Sequence, residues 1–190
     1  MVKEEKARID KERSFEARSG QARVASVICP LAVALIKKRQ TMNSPQTKIQ
    51  SQADQIRDAV LAMPMAQTLK LAFLKIDPGQ VELEMPVQDA FCFRPGQLQA
   101  TAVFAAADFA AVAAAGTLLP VGFINATVDA TLKLVAPARG SHLVARGRVV
   151  SASGLLTVCA ADVFAVDNGK ETLCATLLGT ARNIDMRSKS

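Results

Sequence analysis

A single acidic residue, Asp108, lies within the otherwise uncharged and largely apolar segment 98–118 (LQATAVFAAADFAAVAAAGTL). A carboxylate among apolar groups is costly unless a partner compensates its charge or a reaction uses it. Asp108 is therefore a candidate for general-base or nucleophilic chemistry, because enzymes place carboxyl groups in such surroundings to shift their pKa values. The alternative is structural: a core helix whose acid faces solvent or a subunit interface.

The elements around this segment must position the carboxyl group. The length of the segment predicts a long helix, and alternating patterns predict strands on both sides of it. The predicted strands cover residues 69–76, 80–87, 125–135, 142–153, 155–167 and 171–183. A short amphipathic helix is predicted over 51–65, ended by Pro64, and a loop over 89–96. One long helix against an antiparallel sheet is an α+β architecture.

Two turns are predicted from their residue chemistry. Pro78 and Gly79 occupy the central positions of a turn after Asp77, where proline followed by glycine favours type II geometry. The run Asp167-Asn168-Gly169-Lys170 is a strong hairpin signal, because Asn-Gly accepts the positive φ angles of a type I′ turn. Both turns connect strands that we expect to pair antiparallel.

Charge is distributed unevenly along the 190 residues. The formal net charge is +6; residues 1–41 hold ten Lys or Arg against five Asp or Glu, whereas the rest of the chain is nearly balanced. A nucleic-acid-binding domain carries its basic face on the folded body, so we expect no nucleic-acid partner. We predict that 1–41 is a charged and apolar extension, disordered or non-native, and that 42–190 is a single domain.

The apolar run at 24–36 is too short to span a bilayer of about 30 Å, and we expect no stable membrane insertion there. The four cysteines (Cys29, Cys92, Cys159 and Cys174) contain no CxxC pair, which predicts free thiols in a reducing, cytoplasmic compartment. With His142 as the only histidine, the chain has no recognisable metal-site spacing.

The residue pattern becomes specific over 66–184, which resembles the PaaI-like hot-dog acyl-CoA thioesterases. In that family the central helix opens with His-Gly-Gly and carries an Asp nine residues after the His; this chain has Gln99-Ala100-Thr101 and then Asp108. The next strand carries Ser/Thr-x-Asp, here Thr127-Val128-Asp129. A proline follows that strand, and Gly179-Thr180 near the end matches the closing pattern. The resemblance implies a hot-dog fold.

The resemblance also implies roles for individual residues. Asp108 is expected to act as general base or nucleophile on a thioester, and the backbone N–H of Ala100 to stabilise the oxyanion. Gln99 would hold the thioester, and Thr127 would orient water or the carboxylate. Substrate binding is assigned to Thr101, Phe93, Phe104, Arg146 and Arg148, the two arginines for the phosphates of coenzyme A. No cofactor is expected, because coenzyme A is part of the substrate.

Ala100 and Asp108 are eight positions apart on one helix, or about 12 Å along its axis. Both cannot contact one carbonyl group within a single subunit, so the predicted site requires at least a homodimer. The resemblance extends this to a homotetramer.

Three alternatives remain open. Replacement of His-Gly-Gly by Gln99-Ala100-Thr101 favours a catalytically inactive module that binds acyl-CoA or an acyl chain. A membrane span over 98–124 would place Asp108 at the bilayer centre, at a cost of roughly 2.5–3.5 kcal/mol. A hot-dog dehydratase would need a catalytic histidine, whereas His142 begins a later strand.

Overall fold

The computed structural model describes residues 45–187, within which the chain forms three α-helices and eight strands. The order is α1 (Pro45–Leu61), α2 (Pro64–Thr68), β1 (Ala72–Asp77), β2 (Gln80–Pro86), β3 (Cys92–Arg94), β4 (Gln97–Leu98), α3 (Ala100–Gly116), β5 (Phe123–Leu134), β6 (His142–Ala152), β7 (Leu156–Asp167) and β8 (Lys170–Asp185). The predictions for 1–41, including the apolar run and the boundary at residue 42, lie outside the described residues.

Six strands form one antiparallel sheet in the order β1-β2-β6-β7-β8-β5. The six strands predicted from alternation are all present, with ends that differ by a few residues. Both predicted turns are confirmed: Gly79 has φ +76° between the paired residues Asp77 and Gln80, and Asn168 and Gly169 have φ 50° and 76° at the β7–β8 hairpin.

The long helix α3 lies across the inner face of β2, β6, β7, β8 and β5. Its buried residues are mostly alanines, so the helix backbone approaches the sheet closely. The closest approach is at Gly147 of β6, where a Cβ would overlap the carbonyl oxygen of Ala110. This arrangement confirms the predicted α+β class and the hot-dog fold. Within the described part of the chain, no helix combines the length and apolarity needed to cross a membrane.

Two local predictions were wrong. Pro64 does not simply end the first helix. It begins α2 at a position where the proline's missing N–H has no partner to lose, and the preceding Met63 is 46% exposed. The predicted loop at 89–96 instead contains a 3₁₀ turn (Asp89–Phe91) and the hairpin of β3 and β4. Alternation is undetectable in strands of three and two residues, so the sequence pattern could not show this hairpin.

Candidate active site

Asp108 lies at the middle of α3, half-buried against the sheet. Its Oδ1 accepts a hydrogen bond of 2.9 Å from the Thr127 hydroxyl on β5. Thr127 points inward because β5 alternates, and it precedes a bulge at Val128, where the register with β8 shifts. The structure therefore brings together two of the four residues predicted to be catalytic.

The surroundings of Asp108 act on its protonation in opposite directions. Burial raises the pKa of the Asp108 carboxyl above its ordinary value of 3.8, and the hydrogen bond from Thr127 partly opposes this. The thiol of Cys159 on β7 is buried, and its pKa is raised to about 11. Burial is the larger cause, and the negative charge of Asp108 is the smaller one. Cys159 is therefore a neutral thiol beside the carboxyl group.

The other two predicted catalytic residues lie at the start of α3. Gln99 is the N-cap residue, and its backbone N–H donates to the carbonyl of Phe91 at 2.9 Å, which ties the helix start to the preceding turn. Within the described residues the Gln99 side chain forms no capping hydrogen bond, and both Gln99 and Ala100 are exposed. The first N–H groups of a helix lack partners within the helix, so this end can donate to an oxyanion.

Three residues predicted to shape the substrate pocket lie near the same helix start. Thr101 and Phe104 are in the first turns of α3, and both are exposed, Phe104 by 37%. Phe93 on β3 is 53% exposed, with the Arg94 guanidinium 4.8 Å from its ring centre. Large apolar side chains this exposed at one end of a helix are typical of a surface that binds a ligand or a partner.

The structure does not bring Arg146 and Arg148 together with Asp108. Arg146 and Arg148 flank Gly147, whose inward side contacts α3, so both lie on the outer face of the sheet. Their spacing predicted a shared face but not which one. Arg146 forms ion pairs with Glu82 (3.1 Å) and Glu171 (2.7 Å). Arg148 pairs with Asp162 at 2.9 Å. Their predicted contact with coenzyme A stays a prediction.

Two polar residues near the site were not predicted. Asn125, two positions before Thr127, donates through Nδ2 to the carbonyl of Val112 on α3 at 2.8 Å. Gln97, immediately before the helix start, accepts a 2.9 Å hydrogen bond from Nε of Arg139. The signal for Asn125 was available, because a polar amide at an inward position of a strand needs a buried partner.

No protein-family model matches the chain, and neither does any curated protein. Among solved structures, a thioesterase family protein from Silicibacter pomeroyi is 31% identical with a TM-score of 0.68, over 70% of this chain and 98% of that one. The match to a Haemophilus influenzae thioesterase has 18% identity and a TM-score of 0.62, over 70% and 91% of the two chains.

A third similar structure is the Escherichia coli PaaI protein from the phenylacetic acid degradation operon. It is 18% identical, with a TM-score of 0.62, over 74% of this chain and 96% of that one. The identity to the Silicibacter protein establishes the family, and the PaaI likeness agrees with the fold expected from the residue pattern. The chain belongs to the thioesterase family, has the hot-dog fold, and is a thioester hydrolase.

Proposed function

We propose that the chain hydrolyses an acyl-CoA thioester to the free acid and coenzyme A, with Asp108 as general base or nucleophile. One observation carries the proposal: Asp108 is half-buried on the central helix, receives a hydrogen bond from Thr127, and has a raised pKa. A raised pKa makes the Asp108 carboxylate a stronger base toward a water proton.

As general base, Asp108 takes a proton from water while the water oxygen bonds to the thioester carbonyl carbon. The carbonyl oxygen becomes an oxyanion. When the tetrahedral intermediate collapses, the carbon–sulfur bond breaks, and the leaving thiolate receives the proton that Asp108 holds. As nucleophile, Asp108 would bond to the carbonyl carbon and expel the thiolate, and water would then hydrolyse the resulting anhydride.

The oxyanion needs donors, and the start of α3 offers backbone N–H groups with the positive end of the helix dipole behind them. Ala100 is the first residue of α3 and Asp108 lies at its middle, about 12 Å away along the helix axis. In our proposal the N–H group therefore comes from Ala100 of the partner subunit.

An exposed strand supports a homodimer. β5 is an edge strand of 12 residues, and three of its large apolar side chains are about half exposed: Ile124, Val128 and Leu134. A long apolar edge is prone to pair with another chain. The proposal also includes the homotetramer expected from the resemblance. It includes a cytoplasmic location as well, which is favoured by the free thiols of Cys92, Cys159 and Cys174.

The test is release of free thiol from a panel of aryl, short-chain and long-chain acyl-CoAs. We expect turnover by the wild-type chain, loss of at least about a hundredfold in Asp108→Ala, and an unchanged oligomer.

Ala100→Pro tests the oxyanion donor separately. Proline lacks the N–H but is well tolerated at the first helical position, and Gln99 already has the extended conformation (φ −68°, ψ 151°) that a following proline requires. Ala100→Ser keeps the N–H and is the matched control. No turnover with any substrate, combined with measurable acyl-CoA binding, would favour the inactive binding module, with Gln99-Ala100-Thr101 as the reason.

A further inference from the structure

Two side chains of β5 form hydrogen bonds with α3, and they are two residues apart. Asn125 Nδ2 donates to the Val112 carbonyl at 2.8 Å, and Thr127 Oγ1 donates to the Asp108 carboxylate at 2.9 Å. The higher-numbered helix residue meets the lower-numbered strand residue, so helix and strand run in opposite directions here. The two bonds form a pair of parallel links between one strand and one helix.

The spacing of these links is the same on both elements. Four helix residues, from Asp108 to Val112, rise about 6 Å, and two strand residues, from Asn125 to Thr127, rise about 6.6 Å. A slide of the helix along the strand would therefore stretch both bonds together. The Asn125 bond is made at the same helix position at which Asp108 faces Thr127.

Other contacts restrain α3 at different points: β6 approaches its backbone closely at Gly147, and the Gly79 N–H donates to Thr117 Oγ1 at 2.7 Å just after its end. The buried face of α3 is lined by alanines, including Ala106, Ala110 and Ala114, and such small side chains interlock less with a sheet than branched ones do. β5 pairs on one side only, with β8, and the bulge at Val128 interrupts that pairing directly after Thr127.

The Asn125 side chain packs closely against the end of α3. The carboxamide lies against the last turn of α3, where a Cβ on Gly116 would be 3.7 Å from Nδ2 and 3.0 Å from the Ile56 side chain. A side chain at Gly116 would thus be in ordinary contact with Asn125 and would crowd Ile56.

We propose that Asn125 is a positioning residue that sets the register of α3 on β5 and thereby keeps the Asp108 carboxylate on the Thr127 hydroxyl. Its effect on the reaction rests on the proposed function, but its effect on the carboxyl group does not. Among residues 45–187, the titratable side chain that interacts electrostatically with Asp108 is Cys159 on β7. The central inward residues of the remaining strands are aliphatic or glycine: Val81, Leu83, Ala145, Gly147, Leu177 and Gly179.

The first test is a carbon-13 NMR titration of Asp108 in full-length protein, with the signal assigned by its loss in Asp108→Asn. We expect Asn125→Ala to raise the Asp108 pKa, because the bond from Thr127 that lowers it is stretched. Thr127→Val should shift it in the same direction. The double variant should shift it no further than Thr127→Val alone, since both changes remove one interaction.

A matched control exists at the end of the same helix segment. Gln52 Nε2 donates to the Leu119 carbonyl at 2.6 Å without involving β5, so Gln52→Ala removes a comparable bond and should leave the Asp108 titration unchanged. If Asn125→Ala does not fold, Asn125→Leu keeps the volume and removes the donor.

The second readout is kinetic: Asn125→Ala should lower kcat roughly tenfold, with KM within about twofold of wild type. An Asp108 titration unchanged in the Asn125 variants, additive shifts in the double variant, or an equal shift in Gln52→Ala would each overturn the proposal. If the wild-type chain hydrolyses no acyl-CoA, the proposed function fails, and the titration still decides the role of Asn125.

Discussion

β6 passes so close to α3 that a single methyl group at Gly147 should disturb the fold and the site together. A Cβ there would lie 2.8 Å from the Ala111 nitrogen and would overlap the Ala110 carbonyl oxygen. Ordinary heavy-atom contacts are about 3.5–4.0 Å, and the overlapped Ala110 carbonyl is the nearest obstacle, so in Gly147→Ala the helix must retreat by more than about 1 Å. Both obstructing atoms belong to the helix backbone, and no side-chain rotation relieves the contact.

Overpacking a core typically costs about 1–3 kcal/mol, and a backbone obstacle places Gly147→Ala at the upper end. In a chain of this size, about 3 kcal/mol lowers Tm by roughly 6–12 °C. A retreat of about 1 Å would also lengthen the 2.9 Å bond between Thr127 and Asp108 beyond its normal range, so kcat should fall as well.

The assays for Gly147→Ala are thermal unfolding followed by circular dichroism and thiol release at a temperature where the variant is folded. Gly154→Ala is the matched control, because a Cβ at Gly154 meets nothing within 4 Å; we expect its Tm within about 2 °C of wild type. A Gly147→Ala variant with wild-type Tm and kcat would refute the account of how tightly α3 packs on the sheet.

Three further predictions concern Asp108, Thr127 and Arg146. Burial raises the Asp108 pKa, so the folded state binds the proton more tightly than the unfolded chain does, and the free energy of unfolding falls as pH rises through the folded pKa. Asp108→Asn should therefore raise Tm at pH 7. The gain should vanish as the pH drops below about 4, where the carboxyl group is protonated in both states. Thr127→Val should move the acid limb of the kcat profile to higher pH, whereas Thr131→Val on the same strand should not; identical limbs in wild type and Thr127→Val would contradict this. If Arg146 binds coenzyme A phosphates, Arg146→Ala raises KM at least about fivefold for acyl-CoA but not for the matching acyl-pantetheine; an unchanged KM would restrict Arg146 to its ion pairs with carboxylates.

The sequence was informative where local chemistry decides structure. Gly79 and the Asn168-Gly169 pair specify their turns because few other residues accept positive φ, and alternation located the six long strands. Pro64 was misread because proline is compatible with both the end of one helix and the start of the next. The β3–β4 hairpin depends on tertiary contacts, such as the hydrogen bond from Leu98 N–H to the Ala138 carbonyl, which no local pattern encodes.

The candidate site was predictable in part. The apolar context singled out Asp108, and the family resemblance supplied Thr127 as its partner, a contact that the structure shows. The spacing of Arg146 and Arg148 placed them on one face, but the choice of face depends on which side α3 covers. Asn125 was missed although an amide at an inward strand position indicates a buried partner. The partner itself could not be predicted, because it is a backbone carbonyl of a distant helix turn.

The central claim is that each site combines Asp108 of one subunit with the helix start of another. The most direct measurement uses isolated hybrid dimers of an Asp108→Ala chain and an Ala100→Pro chain, carrying different affinity tags. One of the two sites in such a hybrid has both native groups, so we expect about half of the wild-type kcat per dimer, although each parent is nearly inactive. A hybrid no more active than its parents would contradict a shared site and place the chemistry within one chain.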